Sequence, residues 1–541
     1  MGSVKAPKDV ERQFLICATF ANNGSLPRST TKMMARSPNP ASRISRLLDL
    51  FQYRSDFRVL IRLLGIMLVV AYVLFLVRFG TSYASSSDAS GYFNTAKLFT
   101  ELRVSDTVRP LNDLNPPEWD YYFQQPLGFK ALGGDGHMVP TYPIGLSLLL
   151  LGAQTLVGWN HAATVINVLC ALGCGWLLIR LGREHCGLRT GWAVLAVVLL
   201  WLCPLFVFFS LQPMSDVPAT FWTLLAIYCA AMTLKKTTWG WLAGAAVGMA
   251  VLVRPTNVLL ILPVLILMGF GWRKWLACFC GGLPFAIVLI AYNKAVYGNP
   301  FTSGYGDVST LFSIEFLKHN LAHFAQWIPQ LLTPLILLAL FFPVLVRENK
   351  RVVFALSTWS ALLVGLYAFY YHSGETWWYL RFILPTFPCL ILLALMVAQR
   401  MVNRWKSVNG QTLILSIVMI LAALQLTFTN RQLHVMLIRD AEAAYYQTIK
   451  WLETNVPDSA VMAAMQMSGT LHFYTKHPLL RYDLIPREKF IDAVAAAQTE
   501  GRNIYAPLFP FELERVVEAK LGGEWEQVGT VEHITIWRLK L

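Results

Sequence analysis

The sequence has little charge for its length. Only 14% of its 541 residues are Asp, Glu, Lys or Arg, whereas 55% are hydrophobic, and the mean hydropathy is +0.49. This balance excludes a soluble protein with a fully hydrated surface, because such a surface needs more polar side chains. The chain must therefore use a lipid bilayer as its solvent, and in lipid its long apolar runs predict helices.

The sequence also lacks a cysteine pattern and a charge pattern that would indicate metal or nucleic acid. Its nine cysteines have no zinc-site spacing, and Cys278 and Cys280 form only a C-x-C pair inside an apolar run. The formal charge of +14 comes mainly from an N-terminal block and from short loops between apolar runs, as membrane topology signals do. We expect no disulfide or zinc framework and no nucleic-acid partner.

The N-terminal segment, residues 1–55, has no apolar stretch that resembles a cleavable signal. It is polar, basic and rich in Ser, Pro and Asn, which predicts a disordered cytoplasmic tail. Met33 and Met34 are alternative start codons to Met1, so the first thirty or so residues belong to the protein only if translation starts at Met1.

Eleven apolar segments are candidate membrane spans. They lie at 59–79, 162–181, 191–209, 217–234, 240–253, 256–271, 274–292, 327–346, 352–371, 380–399 and 411–428. A further apolar run at 142–158 is predicted to be an interfacial helix, because only then do the basic loops between the spans all fall on the cytoplasmic side. This arrangement gives a long first outer loop at 80–161.

The predicted fold is an all-α polytopic membrane bundle of about 11 transmembrane helices plus the interfacial helix, within residues 56–429. The remaining residues, 430–541, alternate between helix and strand signals, such as "AVMAAM", "NIYAPLF" and the final "EHITIWRLKL". They predict a small extracytoplasmic α/β domain, so that the N-terminus is cytoplasmic and the C-terminus is extracytoplasmic.

Two aspartates lie at the outer ends of predicted spans. Asp88 follows the first span in "SYASSSDASGY", and Asp216 lies in "LQPMSDVPATF". Two carboxylates from separate loops can serve as a base and its orienting group, or can together hold a divalent cation. Alternatively, each aspartate is the N-cap of the helix that follows it.

Two arginines lie on the same predicted face. Arg254 stands between apolar segments in "AVLVRPTNVLL", and Arg381 begins an apolar segment in "WWYLRFILPTFP". A planar guanidinium at the outer end of a membrane helix suits a lipid phosphate, although such a side chain also snorkels to the interface without any ligand.

A histidine and several aromatic residues complete the candidates. His137, in "GGDGHMVPTYP", is a candidate substrate or metal ligand, and its alternative is an ordinary surface residue. Tyr142, together with Trp377, Trp378 and Tyr379, lies at a predicted interface. These rings belong to an aromatic belt or stack on a sugar.

Five short motifs occur in order along the chain: "DGHMVPTYPIG", "SDVPATF", "GMAVLVRPT", "YGNPFTSGYG" and "YLRFILPTFP". With an aspartate soon after the first span, this set resembles the GT-C superfamily of membrane glycosyltransferases. The resemblance covers roughly residues 59–400. It is closest to bacterial relatives of the protein O-mannosyltransferases and of the lipid A aminoarabinose transferase.

The resemblance implies transfer of a hexosyl or pentosyl group from a polyprenyl-phosphate donor to a glycan, lipid or protein acceptor on the extracytoplasmic face. It implies that Asp88 is catalytic, that Asp216 is the second-loop acid, which helps to bind metal in some relatives, and that Arg254 and Arg381 neutralise the leaving phosphate. Asp88 lacks the acidic partner seen in some relatives, and the "WWDYG" signature of oligosaccharyltransferases is missing. An N-glycosylating activity is therefore not indicated, and a divalent cation stays open.

Two other function classes compete with this prediction. A transporter or lipid flippase usually places ionisable residues near the middle of its spans, whereas these spans carry few. A non-catalytic scaffold would use the membrane bundle to present the C-terminal domain. The resemblance places the protein in a bacterial plasma membrane, where membrane lipids surround it.

Overall fold

The computed structural model describes residues 56–111, 114, 119–132, 135–346, 348–404, 407–516 and 521–540. The predicted disordered tail and the alternative start codons lie outside these residues. The chain divides into two compact units. The first ends at Val69, and its described part is the beginning of the first helix, whereas the second starts at Val70.

Apolar helices follow one another from the start of the described chain to residue 432. In chain order the helices are α1 (Asp56–Phe79), α2 (Ser87–Thr100), α3 (Ile144–Val157), α4 (Trp159–Glu184), α5 (Thr190–Trp201), α6 (Pro204–Ser210), α7 (Asp216–Met232), α8 (Trp239–Val253), α9 (Ile261–Met268), α10 (Trp272–Tyr297), α11 (Leu317–Leu332), α12 (Phe342–Leu345), α13 (Lys350–Ala368), α14 (Phe387–Val402) and α15 (Val408–Gln432). Short 3₁₀ helices connect or extend several of them, the longest at Pro255–Leu260, Pro334–Phe341 and Trp377–Thr386.

The lengths of these helices fit a membrane. Among the described residues, five helical segments are long and apolar enough to cross it, namely α4, α10, α13, α15 and Trp377–Val402. Many large apolar side chains on α1, α10 and α15 are exposed, as lipid-facing residues are. The protein is a multi-pass membrane protein, and the number of eleven spans stays a prediction.

Two of the predicted spans are broken. The sequence predicts single helices at 191–209 and 327–346, but α5 and α6 meet at 62°, and Ile314–Leu332 and Pro334–Phe341 meet at 115°. Both breaks precede a proline, because a residue before proline disfavours the helical conformation. Cys203, before Pro204, has ψ 122°, and Thr333, before Pro334, has φ 66° and ψ 157°. The prediction of two continuous helices is wrong for this reason.

Helix α3 corresponds to the run predicted to be interfacial. Its 14 residues span about 21 Å, which is too short for roughly 30 Å of hydrocarbon. It packs against α2, α4 and α8. At Gly145 a Cβ atom would lie 2.4 Å from the backbone nitrogen of Val253, so glycine permits the approach to α8. Its location at the interface stays a prediction.

The predicted first outer loop contains regular structure that the sequence did not suggest. Helix α2 is followed by three short antiparallel strands, β1 (Asp106–Thr107), β2 (Phe129–Ala131) and β3 (His137–Pro140), in the order β1-β3-β2. A small apolar core beneath them joins this sheet to the end of α2 through Leu98, Phe129 and Met138.

The C-terminal part forms the small sheet that the sequence predicts. Its helices are α16 (Ile438–Asn455), α17 (Ser468–Tyr474), α18 (Arg487–Thr499) and α19 (Pro510–Val516). Its strands are β4 (Val461–Ala463), β5 (Leu479–Leu480), β6 (Ile504–Leu508), β7 (Trp525–Val531) and β8 (Ile534–Leu539), in the order β5-β4-β6-β8-β7. Strand β4 runs parallel to β5 and β6, and β8 runs antiparallel to β6 and β7.

This C-terminal part shares a hydrophobic core with the first loop. Leu111 and Trp119 of the loop are buried among residues of α18 and of the sheet, including Phe490 and Ile504. The boundary at residue 430 stays a prediction, but the packing shows that the C-terminal sheet does not stand apart from the loop.

Helix α17 also holds α2 through polar contacts. The Asn94 side chain donates to the carbonyl of Gly469 at 2.9 Å, and the Lys97 ammonium donates to the carbonyl of Phe473 at 2.8 Å. Helix α2 is therefore fixed along its length by a segment almost 400 residues away in the chain.

The residues just before α2 are fixed in the same way. The hydroxyl of Ser85 donates to the buried carboxyl of Glu442 on α16, and the backbone N–H of Ala84 donates to the hydroxyl of Tyr474 at 3.2 Å. Glu442 is only 4% exposed. The C-terminal part thus fixes the point at which α2 begins.

Glu442 makes the stability of this contact dependent on pH. Burial raises the pKa of Glu442 from 4.5 to about 7, and the nearby charge of Asp88 adds to this, while the Ser85 hydroxyl opposes it. The stability that the neutral carboxyl contributes is therefore complete below about pH 4.5 and is lost as the pH rises to about 7. The Glu442→Gln variant is neutral at every pH. We therefore expect its free energy of unfolding to rise, relative to that of the wild type, by up to about 3 kcal/mol over this range.

Thermal unfolding of both proteins in detergent from pH 4.5 to 8 measures this gain. Glu453→Gln is the matched control, because Glu453 lies on the same helix and is exposed. If the difference in stability between Glu442→Gln and the wild type did not change with pH, the Glu442 carboxyl would not be buried in its neutral form.

Candidate active site

Five of the six predicted site residues lie around one cavity. It has a volume of about 500 Å³ and lies at the end of the bundle where α2, α3 and α7 begin and α8 and α13 end. The predicted residues in or directly behind its wall are Asp88, Tyr142, Asp216, Arg254 and Arg381.

Asp216, the first residue of α7, is the centre of an ion cluster. Its side chain is fully buried, and both of its oxygens face arginines. Arg254 Nη2 donates to Oδ1 at 2.7 Å, while Arg381 Nε lies 3.1 Å from Oδ1 and Arg381 Nη2 lies 2.9 Å from Oδ2. A bidentate contact of this kind fixes the plane of the guanidinium as well as its position.

Arg381 also reaches the second aspartate. Its Nη1 donates to Oδ2 of Asp88 at 2.9 Å, so one guanidinium bridges two carboxylates that lie 128 residues apart in the sequence. About a quarter of the Asp88 side chain is exposed, whereas Asp216 is not exposed at all. The two aspartates therefore have different environments, and of the two it is Asp88 that lines the cavity.

Neither aspartate is an N-cap. The N-caps of α2 and α7 are Ser86 and Ser215, and both aspartates lie in the first helical turn. In that position a carboxylate interacts favourably with the helix dipole, which adds to the attraction of the arginines. The alternative interpretation of the sequence, in which capping explains both aspartates, is wrong.

The arginines are held from several sides. Arg254 follows the last residue of α8 and precedes Pro255, and its extended backbone, with φ −150° and ψ 107°, ends the helix. Its Nη1 donates to the backbone carbonyl of Arg381 at 3.0 Å. The Arg381 guanidinium lies 4.9 Å from the centre of the Phe209 ring, and that of Arg254 lies 5.9 Å from the Phe382 ring.

Tyr142 lies directly beside Asp88. Its hydroxyl lies 2.8 Å from the hydroxyl of Ser87, and its ring packs over Gly91, where a Cβ atom would lie 2.3 Å from the ring. The rings of Tyr142 and Tyr305 are in edge contact at 6.0 Å.

Aromatic side chains form much of the cavity wall. Its tyrosines are Tyr92, Tyr142, Tyr305, Tyr367, Tyr370 and Tyr379. Sequence reasoning singled out only two of them as aromatic residues of interest. Tyr305 lies in the motif "YGNPFTSGYG", and Tyr367 and Tyr370 are three residues apart at the end of a predicted span, but rings at span ends equally suit an aromatic belt.

The remaining predicted residues lie elsewhere. His137 is on β3, its side chain is 55% exposed and lies 3.8 Å from Asp135, and it does not line the cavity. Trp377 is buried against the ring of Phe208, at 5.2 Å, and Trp378 is partly exposed. The roles predicted for His137 find no support in this geometry.

The carboxylates of the site do not fit a divalent cation in this arrangement. Both Asp216 oxygens face guanidiniums, and Arg381 occupies the space between the two aspartates, where it would repel a metal ion. No group of three or more His, Cys, Asp or Glu side chains in the described part of the chain is placed to hold a metal. The divalent cation that the sequence left open therefore has no suitable ligand set in the described cavity wall.

Comparisons with known proteins agree with the motifs. Residues 138–295 match the family described as dolichyl-phosphate-mannose-protein mannosyltransferase. No curated protein sequence matches the chain.

The fold is similar to that of several solved proteins. ArnT from Cupriavidus metallidurans in the apo state is 14% identical, with a TM-score of 0.55 over 88% of this chain and 97% of that one. The same protein bound to undecaprenyl phosphate is 13% identical, with a TM-score of 0.53 over 88% of this chain and 98% of that one. Arabinofuranosyltransferase AftD from Mycobacteria is 14% identical, with a TM-score of 0.53, over 89% of this chain but only 40% of its own. The predicted resemblance is confirmed at the level of the fold: this chain has a fold similar to those of ArnT and AftD.

Proposed function

We propose that the protein is a glycosyltransferase that moves a sugar from a polyprenyl-phosphate donor to an acceptor at the extracytoplasmic face of a bacterial plasma membrane. The observation that carries this proposal is the cavity wall in which a partly exposed Asp88 lies beside two arginines held by a buried carboxylate. Within one cavity, the Asp88 carboxylate can accept a proton and the two arginines can neutralise a phosphate.

The known proteins support the donor class. One of the similar structures is ArnT bound to undecaprenyl phosphate, and the matching family is described by a dolichyl-phosphate-linked mannose. Both lipids are polyprenyl phosphates, and of the two descriptions only that of the family names a sugar. The donor lipid is therefore the more general part of the proposal, and the transferred group is a hexosyl or pentosyl residue.

Asp88 is proposed to act as the general base. The acceptor hydroxyl gives its proton to the Asp88 carboxylate as its oxygen attacks the anomeric carbon of the donor, and the bond between that carbon and the phosphate oxygen breaks. The bonding pair leaves with the polyprenyl phosphate, and Asp88 later returns the proton to solvent or to the phosphate. A base of this kind typically contributes about 10²- to 10⁴-fold to the rate.

Arg254 and Arg381 are proposed to stabilise the leaving phosphate. Both line the cavity, and Arg254 uses only two of its five N–H donors in hydrogen bonds with described residues. Because the site is largely shielded from water, fixed positive charge is worth more there than at a hydrated surface.

Asp216 is proposed to position these arginines. Since its side chain is fully buried and both oxygens are engaged, it reaches the substrate only through Arg254 and Arg381. Among the roles that the sequence suggested for the two aspartates, base, orienting group or metal ligand, the proposal thus assigns Asp216 that of an orienting group. The tyrosine rings of the cavity wall provide faces on which a sugar can stack.

The positions of the basic residues support the proposed orientation. The connections α4–α5, α7–α8, α9–α10, α12–α13 and α14–α15 lie at the end of the bundle away from the cavity. These connections and the helical turns beside them carry Arg183, Arg189, Lys235, Lys236, Arg273, Lys274, Lys350, Arg351, Arg400 and Arg404. By the positive-inside rule that end is cytoplasmic, which puts the cavity and the C-terminal sheet outside.

We expect Asp88→Asn to lower sugar transfer by at least about 100-fold without loss of folded protein, because an amide cannot take the acceptor proton. The assay is transfer of radiolabel from a panel of polyprenyl-phosphate sugars to a membrane extract by purified protein in detergent. Asp135→Asn is the control, since Asp135 is exposed and lies away from the cavity. Full activity of Asp88→Asn would disprove the assigned base. If the folded wild type transferred none of the sugars, a transporter or scaffold would replace the enzyme.

We expect Asp216→Asn to destabilise the protein by about 3–5 kcal/mol, because it leaves two largely buried guanidiniums without their shared counter-charge. Thermal unfolding in detergent measures the loss. Asp440→Asn is the matched control, since Asp440 also lies in a first helical turn but is exposed, so it reports the helix-dipole contribution alone. Equal effects of the two substitutions would show that the ion cluster contributes little.

A further inference from the structure

A second feature lies at the opposite end of the bundle. A cavity of about 510 Å³ opens between the end of α9, the start of α10 and the start of α13. Apolar side chains form most of its lining: Leu265, Ile266, Phe270, Trp275 and Phe354. A neighbouring apolar cavity of about 330 Å³ shares Leu265 and Trp275 with it and continues between α8, α9 and α10. Together they form an elongated apolar slot, which we call the α9–α13 slot.

Two cations stand at the mouth of the slot. Lys350 and Arg351, the first residues of α13, line it, and neither forms a hydrogen bond or ion pair with any residue that the structure describes. No acidic side chain is part of its described lining. The slot thus combines an apolar length with unpaired positive charge at one end.

Arg351 has no structural partner at the helix end it contacts. Its guanidinium lies against Gly269, where a Cβ atom would be 2.8 Å from Nη1. Two carbonyls at that end of α9 accept hydrogen bonds from other side chains, Met268 from the Lys274 ammonium at 3.2 Å and Gly269 from the Trp275 indole at 2.9 Å. Arg351 forms no hydrogen bond with a described carbonyl there, so its donors remain available near a third cation, Lys274.

The slot is separate from the candidate active site. Helix α13 runs from Lys350 to Ala368, close to Tyr370 in the cavity wall, so its 19 residues separate the two features by about 28 Å. This separation approaches the thickness of the hydrocarbon layer, so in the membrane orientation proposed above the two features lie near opposite leaflets.

We propose that the α9–α13 slot binds an anionic glycerophospholipid, with the headgroup phosphate on Lys350 and Arg351 and an acyl chain along the apolar length. Free phosphate would leave the apolar lining without a partner, and a neutral lipid would leave both cations unpaired. The exposed rings of Phe270, Trp272 and Phe354 around the mouth are typical of the boundary between headgroups and chains. In the orientation proposed above, the basic connections face the cytoplasmic leaflet, whose surface potential is negative.

The binding test uses delipidated, full-length protein in a neutral detergent. Native mass spectrometry measures its affinity for dioleoylphosphatidylglycerol, with dioleoylphosphatidylcholine as the neutral comparator. We expect Lys350→Gln with Arg351→Gln to weaken binding of the anionic lipid on the order of 30-fold, from the usual contribution of two cations near an anionic headgroup.

A matched double variant controls for net charge. Arg183→Gln with Lys236→Gln removes two exposed cations at the same end of the bundle, away from the slot lining, and should leave the affinity unchanged within about twofold. Leu265→Trp fills the slot without changing charge, and it should also weaken binding. This variant keeps the proposal testable if the slot double variant fails to fold.

Three results would overturn the proposal. Equal affinity for the two lipids would show that the cations do not select a headgroup, and wild-type affinity in the slot double variant or in Leu265→Trp would place the lipid elsewhere. Displacement of the lipid by inorganic phosphate at similar concentration would indicate an anion site without a role for the chain.

Discussion

The buried carboxylate of Asp216 is the contact on which the arrangement of the site depends. It holds one arginine from the end of α8 and another from the 3₁₀ helix before α14, and the second of these reaches Asp88 at the start of α2. Four segments that are distant in the sequence are thereby fixed relative to one another by one neutral group of two carboxylates and two guanidiniums. Without Asp216, the free energy cost of burying the two guanidinium charges would exceed the stabilisation from their remaining contacts.

The same site is supported from the C-terminal part of the chain. Helix α17 binds α2 through backbone carbonyls, and Glu442 of α16 binds Ser85 just before α2 begins. A region with no cavity residue of its own therefore determines where Asp88 lies. This explains in structural terms why a small sheet follows the membrane helices and shares a core with the first loop.

Much of the site was predictable because charge is rare in this sequence. When few ionisable residues occur near apolar runs, those at span ends stand out, and the positive-inside rule then places Asp88, Asp216, Arg254 and Arg381 on one face. The bridge from Arg381 to both aspartates was not predictable, since it depends on how helices pack across 165 and 293 residues of chain. The wall tyrosines were missed because rings at span ends have two equally good explanations.

The errors in the fold have specific physical causes. Hydropathy alone predicted continuous helices through Pro204 and Pro334, although proline geometry, which is visible in the sequence, breaks both. Strand β5 was missed because it has only two residues, and β7 because the apolar and polar residues of its sequence, "WEQVGTV", do not alternate regularly. Helix α17 is seven residues long and is stabilised by tertiary contacts, which no local pattern reports.

The proposed function requires a phosphate in the cavity beside Asp88, bound by Arg254 and Arg381. An electron cryomicroscopy structure of the protein in lipid nanodiscs with added undecaprenyl phosphate tests it most directly. We expect phosphate density within hydrogen-bonding distance of Arg254 and Arg381, with Asp216 still joining the two arginines and the chain of the lipid leaving the cavity toward the bilayer. Phosphate density at another place, with the cavity empty, would show that the two arginines do not bind the leaving phosphate.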